Sequence, residues 1–198
     1  MNKEKFKSYP KHWVASDIHL SHENIRQYCP ETRGTCKDVH EMNELIIERW
    51  NSDVGVNDHT FIIGDVAMGQ IVLAPPLIRR LNGHKTLIRG NHDKTLVKLP
   101  EFNSLFIDAH DYLEQIVVST MVCMSHFPMA SWNGMAKGAI MLHGHLHGAE
   151  VQVIDAVNKR IKDVGIDTNT LYVYNLEELV EEMKKIPLPT FNHHGREL

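Results

Sequence analysis

The chain has 198 residues, 42% of them apolar, and a formal net charge of −4 from 21 basic and 25 acidic side chains. That length supports one well-buried core and is too short for two ordinary domains with a linker. A single domain is expected over 1–198, with its core over about 12–186 and a loose tail over 187–198. The acidic balance excludes a general attraction to nucleic acid or anionic membrane, so an anionic substrate would need a local cationic site. Cys29, Cys36 and Cys123 are odd in number and lack metal-ligand spacing, which favours a reducing cytoplasm. Met1 to Lys11 is basic and polar with no apolar stretch behind it, so neither a secretory signal nor a membrane anchor is predicted.

In chain order, the first buried strand is read at His12 to Ala15, followed by a polar loop. Asp38 with Glu41 makes a capping-box-like start for a helix carrying Val39, Met42, Ile46 and Trp50 on one face. Strands are predicted at Thr60 to Ile63 and Thr86 to Ile88, separated by a helix from near Pro76 to Asn82-Gly83. A strand-like run follows at Leu105 to Ile107, then one strand over Ile116 to Met124, one over Ala139 to Leu142 and one over Arg160 to Ile166. Asn175 and Glu178 repeat the capping signal before Leu176, Leu179 and Met183. Helices alternating with strands, then a strand-rich half, predict an α/β protein with mixed, layered sheets. The His193-His194 pair in the tail reads as solvated.

Five polar blocks fall at the carboxyl ends of these strands: Asp17-Ile18-His19, Gly64-Asp65, Gly90-Asn91-His92-Asp93, Ser125-His126 and Gly144-His145-Leu146-His147. Open α/β sheets bind ligands beyond the carboxyl ends of their strands, so distant blocks can meet there. Asp65 offers two oxygens to bridge two cations, with Asp17, His19 and His147 on the first and Asn91, His126 and His145 on the second. Oxygen and imidazole donors without thiolates suit divalent first-row ions, with Mn²⁺ the first choice and Fe, Zn²⁺ or Ni²⁺ as alternatives. One block alone carries little weight, because Asp-x-His recurs at Asp38-Val39-His40 and Asp108-Ala109-His110. Asp38 already serves as a helix cap, and Asp108 falls after the Asn91 block. Five blocks in one order make the signal.

This set of blocks resembles the calcineurin-like metallophosphoesterase superfamily, from Asp17 to about Asp167, and within it the small capless phosphoesterases of bacteria and their phages. The resemblance implies a four-layer α/β/β/α sandwich of mixed sheets, a dinuclear centre and a phosphate-ester substrate. One departure is Gly64-Asp65-Val66-Ala67-Met68-Gly69 in place of the Gly-Asp-x-x-Asp-x-Gly form of the protein phosphatases, which weakens a phosphoprotein assignment. Two divalent ions would polarise a phosphoryl oxygen and provide a metal hydroxide as nucleophile. The leaving oxygen then needs a proton, and His92, beside Asn91, is assigned as general acid, as the resemblance also implies.

Asp93 is read as a supporting partner that orients the turn or a histidine, and Asp167 as a support of the centre or a strand cap. His22, Arg26 and Arg33 are the candidate substrate contacts, in a loop that also holds Asn24 and Tyr28. Phe127 and Trp132 offer an apolar wall, with core packing as the alternative for either. Together these readings predict hydrolysis of a phosphodiester or nucleotide-type substrate, including nucleic acid. The alternatives are a phosphomonoesterase on a small metabolite and a non-catalytic scaffold on the same fold.

Overall fold

The computed structural model describes residues 6, 8–149 and 160–188. Among them, nine strands form two mixed sheets. In the first, β1 (His12–Ala15), β2 (His59–Ile62), β3 (His84–Ile88) and β4 (Asp108–His110) run parallel in the order β4-β3-β2-β1, and β9 (Tyr174–Asn175) pairs antiparallel with β1. In the second, β5 (Leu113–Val117) is antiparallel to β6 (Thr120–Met124), which runs parallel to β7 (Ile140–His143) and then β8 (Ile161–Asp163).

The period-two alternation of each strand decides the layering, because successive side chains point to opposite faces. Val14, Phe61, Val122, Met124, Ile140 and Leu142 enter one buried cluster, so this is the core between the sheets. Their neighbours Trp13, Ala15 and Ile62 face away into a second cluster, and Cys123 and Met141 into a third. Helices α1 (Ile25–Tyr28), α2 (Pro30–Arg33), α3 (Val39–Asp53) and α4 (Ala74–Arg80) lie between β1 and β3 in the chain. Met42, Ile46 and Trp50 of α3 and Ile78 of α4 cover the outer face of the first sheet. The short α5 (Phe102–Leu105) adds Leu105 to that cluster, and α6 (Leu176–Lys184) inserts Leu176, Val180 and Met183 into the inter-sheet core. Trp132 and Met135 cover the outer face of the second sheet from the stretch 127–138, which holds a 3₁₀ turn at Met135–Lys137. Phe61→Ala, which empties the centre of the inter-sheet core, should cost about 3–5 kcal/mol.

The capping signals are realised. Asp38 accepts from the Glu41 amide at 2.8 Å, and Asn175 from the Glu178 amide at 3.1 Å, each satisfying a donor that the first helical turn leaves open. Several boundaries differ from expectation, and the strand read over Arg160 to Ile166 keeps only Ile161–Asp163, because Ile166 opens a 3₁₀ turn, Ile166–Asn169. The run Ile116 to Met124 is two strands, because Val118 and Ser119 turn the chain with φ of 44° and 61°. The helix placed near Pro76 begins at Ala74, with Pro75 and Pro76 in its first turn, where a missing N–H costs nothing. Leu105 to Ile107 is not a strand: Leu105 ends α5, and the strand is Asp108–His110. The His193-His194 pair lies outside the described residues. Among the described residues no helix is long and apolar enough to cross a membrane.

Candidate metal centre

At the carboxyl ends of the strands the two sheets are stitched together by their backbones. The Ser16 amide donates to Val164 O at 2.9 Å, and the Ile166 amide to Ser16 O at 3.0 Å, which ties the end of β1 to the end of β8. The chains leaving β1 and β2 stay in register, with Asp17 N on Gly64 O, His19 N on Asp65 O and Leu20 N on Val66 O. His126 follows β6, and His145 and His147 follow β7, so the second sheet brings its imidazoles to the same edge. Gly144 permits that approach: a Cβ there would collide with Ser16 Oγ and Asp17 Oδ2.

Asp17, His19, Asp65, His145 and His147 all sit in the left-handed region, with φ of 55°, 51°, 52°, 73° and 50°. A residue with a Cβ pays about 1–3 kcal/mol for such a conformation, and these positions cluster at functional sites. The reversals aim the side chains inward. Asp17, His19 and His147 converge so that their donor atoms lie within 4.8 Å of one another, and Asp65, His126 and His145 do the same. Asp65 Oδ2 lies among them, 3.8 Å from His19 Nε2, 3.9 Å from His92 Nε2 and 3.4 Å from His126 Nε2. Asn91 Oδ1 is 3.0 Å from His126 Nε2, whose other ring nitrogen is 2.9 Å from Ile63 O.

Asp17 Oδ1 and both ring nitrogens of His19 are buried and lack a hydrogen-bond partner. Such groups are costly unless a ligand completes them. Burial pushes the Asp17 carboxyl up to about 6, against the opposing pull of His147 and His126, and pushes His19 well down, with the Arg33 charge adding to it. Burial also opposes ionisation of Asp65, but the His126 hydrogen bond and charge outweigh it and hold the carboxylate at about 2. Buried carboxylate oxygens beside imidazoles, with no thiolate in either set, are a donor combination that fits divalent cations.

Supporting residues surround this cluster. Asp93, fully buried, accepts from the amides of Asp65, Val66 and Gly90 at 2.8–3.0 Å and so fixes the turn that carries Asp65. Asp167 Oδ2 lies 3.0 Å from His147 Nδ1, which directs Nε2 toward Asp17 Oδ1 at 3.8 Å. This hydrogen bond raises His147 to about 10 against its burial, and a cation at Nε2 would displace the proton there while Nδ1–H stays on Asp167.

Two of the three expected substrate contacts lie elsewhere. Arg33 is 0% exposed. Its guanidinium grips Asp167 through Nε and Nη2, both at 2.8 Å, and donates to Ile18 O and Asp17 O. It is a brace that fixes the first block and the carboxylate behind His147. Arg26 pairs with Glu23 and donates to Cys36 O, so its head is spent within its own loop. His22 does reach the centre, its ring 5.2 Å from that of His19 and its buried Nδ1 without a partner. Trp132 is core, donating to Ala139 O, whereas Phe127 is 49% exposed and lies 4.7 Å from the His145 ring. Cys29, which its spacing gave no reason to select, approaches His147 Nδ1 at 3.6 Å and forms a third close group with His147 and Asp167. Only the fold unites residues so far apart in sequence.

A family model described as calcineurin-like phosphoesterase matches residues 10–196. The chain belongs to the calcineurin-like phosphoesterase family. This calcineurin-like protein is 29% identical over 168 residues to an uncharacterized protein of Methanocaldococcus jannaschii, across 83% of this chain and 85% of the relative. It is 28% identical over 181 residues to the gene 66 protein of Mycobacterium phage D29, across 78% of this chain and 87% of that one. The crystal structure of a protein of unknown function from Aquifex aeolicus shares the fold, with a TM-score of 0.69 and 19% identity over 87% of this chain and 98% of that one.

Proposed function

We propose that this family member is a dinuclear-metal-dependent phosphoesterase that hydrolyses a phosphodiester or nucleotide-type substrate. The observation that carries the reading is the pair of converging donor groups with Asp65 Oδ2 between them and unpartnered buried atoms on Asp17 and His19. In this assignment Asp17, His19 and His147 hold one divalent ion, and Asn91, His126 and His145 the other. Asp65 serves both, and Mn²⁺ is the first choice. Such ions supply Lewis-acid polarisation of a phosphoryl oxygen and acidification of water.

The chain supplies the rest. Its histidine rings stay neutral by burial at His19 and His145, ready to donate a lone pair. Asp167 and Arg33 hold the His147 ring so that Nε2 faces the centre. His92 is partly exposed beside Asp65, with its own amide bound to Asp65 Oδ1 at 2.9 Å, so the ring sits at the edge of the centre with freedom to meet a substrate. Its role is to protonate the leaving oxygen. The diester preference draws support from a cavity of about 610 Å³ bounded by Asn91 and His126, which leaves room for a group on the far side of the reacting phosphorus.

The test is elemental analysis after Mn²⁺ loading, with bis(p-nitrophenyl) phosphate and p-nitrophenyl phosphate assayed side by side. Two ions per chain in the wild type, loss of both in Asp65→Asn and faster hydrolysis of the diester are expected. A protein that retains no ions after Mn²⁺ loading overturns the reading, and monoester hydrolysis without diesterase activity replaces it with the phosphomonoesterase alternative.

A further inference from the structure

The cavity beside Asn91 and His126 has a composition that a small diester does not require. Lys94 and Lys98 line it, together with Arg89, Val97 and the exposed ring of Phe127. The one carboxylate on its wall, Asp111, is already taken by Arg89 through two bonds of 2.7 Å. Both lysines are exposed, and among the described residues neither has a carboxylate within ion-pair distance. They follow the Asn91 block on the 3₁₀ turn Leu96–Lys98 and the residues just before it, on a chain anchored by buried Leu96 and by Asp93. Phe127, which also lines the cavity, packs edge-on against His126 and His145 with ring centroids at 5.2 and 4.7 Å. The cavity thus offers two cations without counter-charges and an aromatic face next to two residues of the candidate centre.

We propose that this cavity is the binding track for a single-stranded nucleic acid, with Lys94 and Lys98 on the phosphates flanking the reacting one and Phe127 under a base. This deepens the phosphodiesterase reading and rests on it for the placement of the reacting phosphate. A chain with net charge −4 has no global pull on a polyanion, so the attraction must be local, and this cavity provides it. Cations along a groove with an aromatic platform are how single strands are held without sequence preference. A duplex presents its bases stacked inward and would leave Phe127 without a partner.

The experiment is fluorescence anisotropy of a labelled dT 12-mer on Mn²⁺-loaded His92→Ala protein across a salt series. Unlabelled dTMP, a 12-bp duplex and polyglutamate serve as competitors. The 12-mer is expected to bind at least tenfold more tightly than each competitor. Lys94→Ala/Lys98→Ala should lower the slope of log K against log salt by about 1.4, from two lost phosphate contacts, and Lys94→Arg/Lys98→Arg should restore it. Phe127→Ala should weaken binding about 5- to 150-fold with the salt slope retained. An unchanged slope in the double alanine variant, or competition by dTMP or polyglutamate equal to that of the 12-mer, overturns the proposal. Strand binding needs no turnover, so 12-mer binding by the variant while the wild type cleaves no diester sinks the diesterase reading, and wild-type cleavage of bis(p-nitrophenyl) phosphate without strand binding by the variant sinks only the track.

Discussion

Two segments flank the centre, 21–33 on the side of His19 and 89–98 on the side of His126, and both are rich in cations. In the first, Arg33 is sealed in the interior on Asp167 and two carbonyls, and Arg26 is bound to Glu23 and Cys36 O. In the second, Arg89 is matched by Asp111 at the surface, while Lys94 and Lys98 face a cavity. Cationic side chains that look alike in the sequence therefore serve different ends. Where a guanidinium fork meets a buried carboxylate it becomes architecture, and where an ammonium meets open space it stays available to a ligand.

The comparison breaks at several places in order of expected effect. Replacing His92, which lies within the second segment, by Ala should lower kcat about 10²- to 10⁴-fold, with both metal ions retained. Equal metal loss would make it a ligand instead. Arg33→Ala should cost about 3–5 kcal/mol in urea unfolding, because it strands the buried Asp167 carboxylate, and Arg33→Lys should recover only part of that, since an ammonium cannot reproduce the fork. A raised KM with undiminished stability would return Arg33 to the substrate.

Lys85 on β3 is a third fate of a cation: buried, with Gly83 O at 2.8 Å its one hydrogen-bond partner among the described residues, its pKa pushed down by burial to about 8. Its folded-state pKa lies below the unfolded value near 10.5, so the folded chain binds fewer protons between those limits. Stability should rise with pH from about 8 to 10.5, and the penalty is fully present below 8. Lys85→Met should remove about 1–3 kcal/mol of penalty at neutral pH and flatten that rise relative to wild type. A parallel pair of pH profiles would show that the ammonium is solvated. The smallest effect belongs to Arg26→Ala, about 0.2–1 kcal/mol in stability with KM changed by less than about twofold. A large KM effect would place its head in the site.

The strand ends were readable because an apolar run followed by a polar block leaves little choice: Ala15 must be buried, and Asp17 must find a partner or a ligand. The hairpin at Val118-Ser119 was not, since neither residue is one that usually accepts positive φ, and the surrounding Ile116 to Met124 looks like uninterrupted strand. The brace role of Arg33 was hidden for a different reason. A polar loop normally exposes an arginine, and what buries this one is a carboxylate 134 residues away. Turns at Asp17-x-His19 and His145-x-His147 were readable, since both polar residues of each block can face one centre only if the backbone turns, whereas the reversal at Asp65 had no such signal. Phe127 and Trp132, five residues apart, could not be separated into platform and core without knowing which face of the second sheet the chain crosses next.

The backbone stitch between Ser16 and Val164 gives the centre a mechanical meaning. Its candidate donors come from both sheets, with Asp17, His19, Asp65 and Asn91 from the first and His126, His145 and His147 from the second. A cation seated there acts as a rivet through two plates, so loosening the plates and losing the cation become one event. Each tenfold excess of ion over its dissociation constant would then add about 1.4 kcal/mol against unfolding. Chelation would be felt first as a parting of the inter-sheet core around Phe61 and Leu142, far from any substrate.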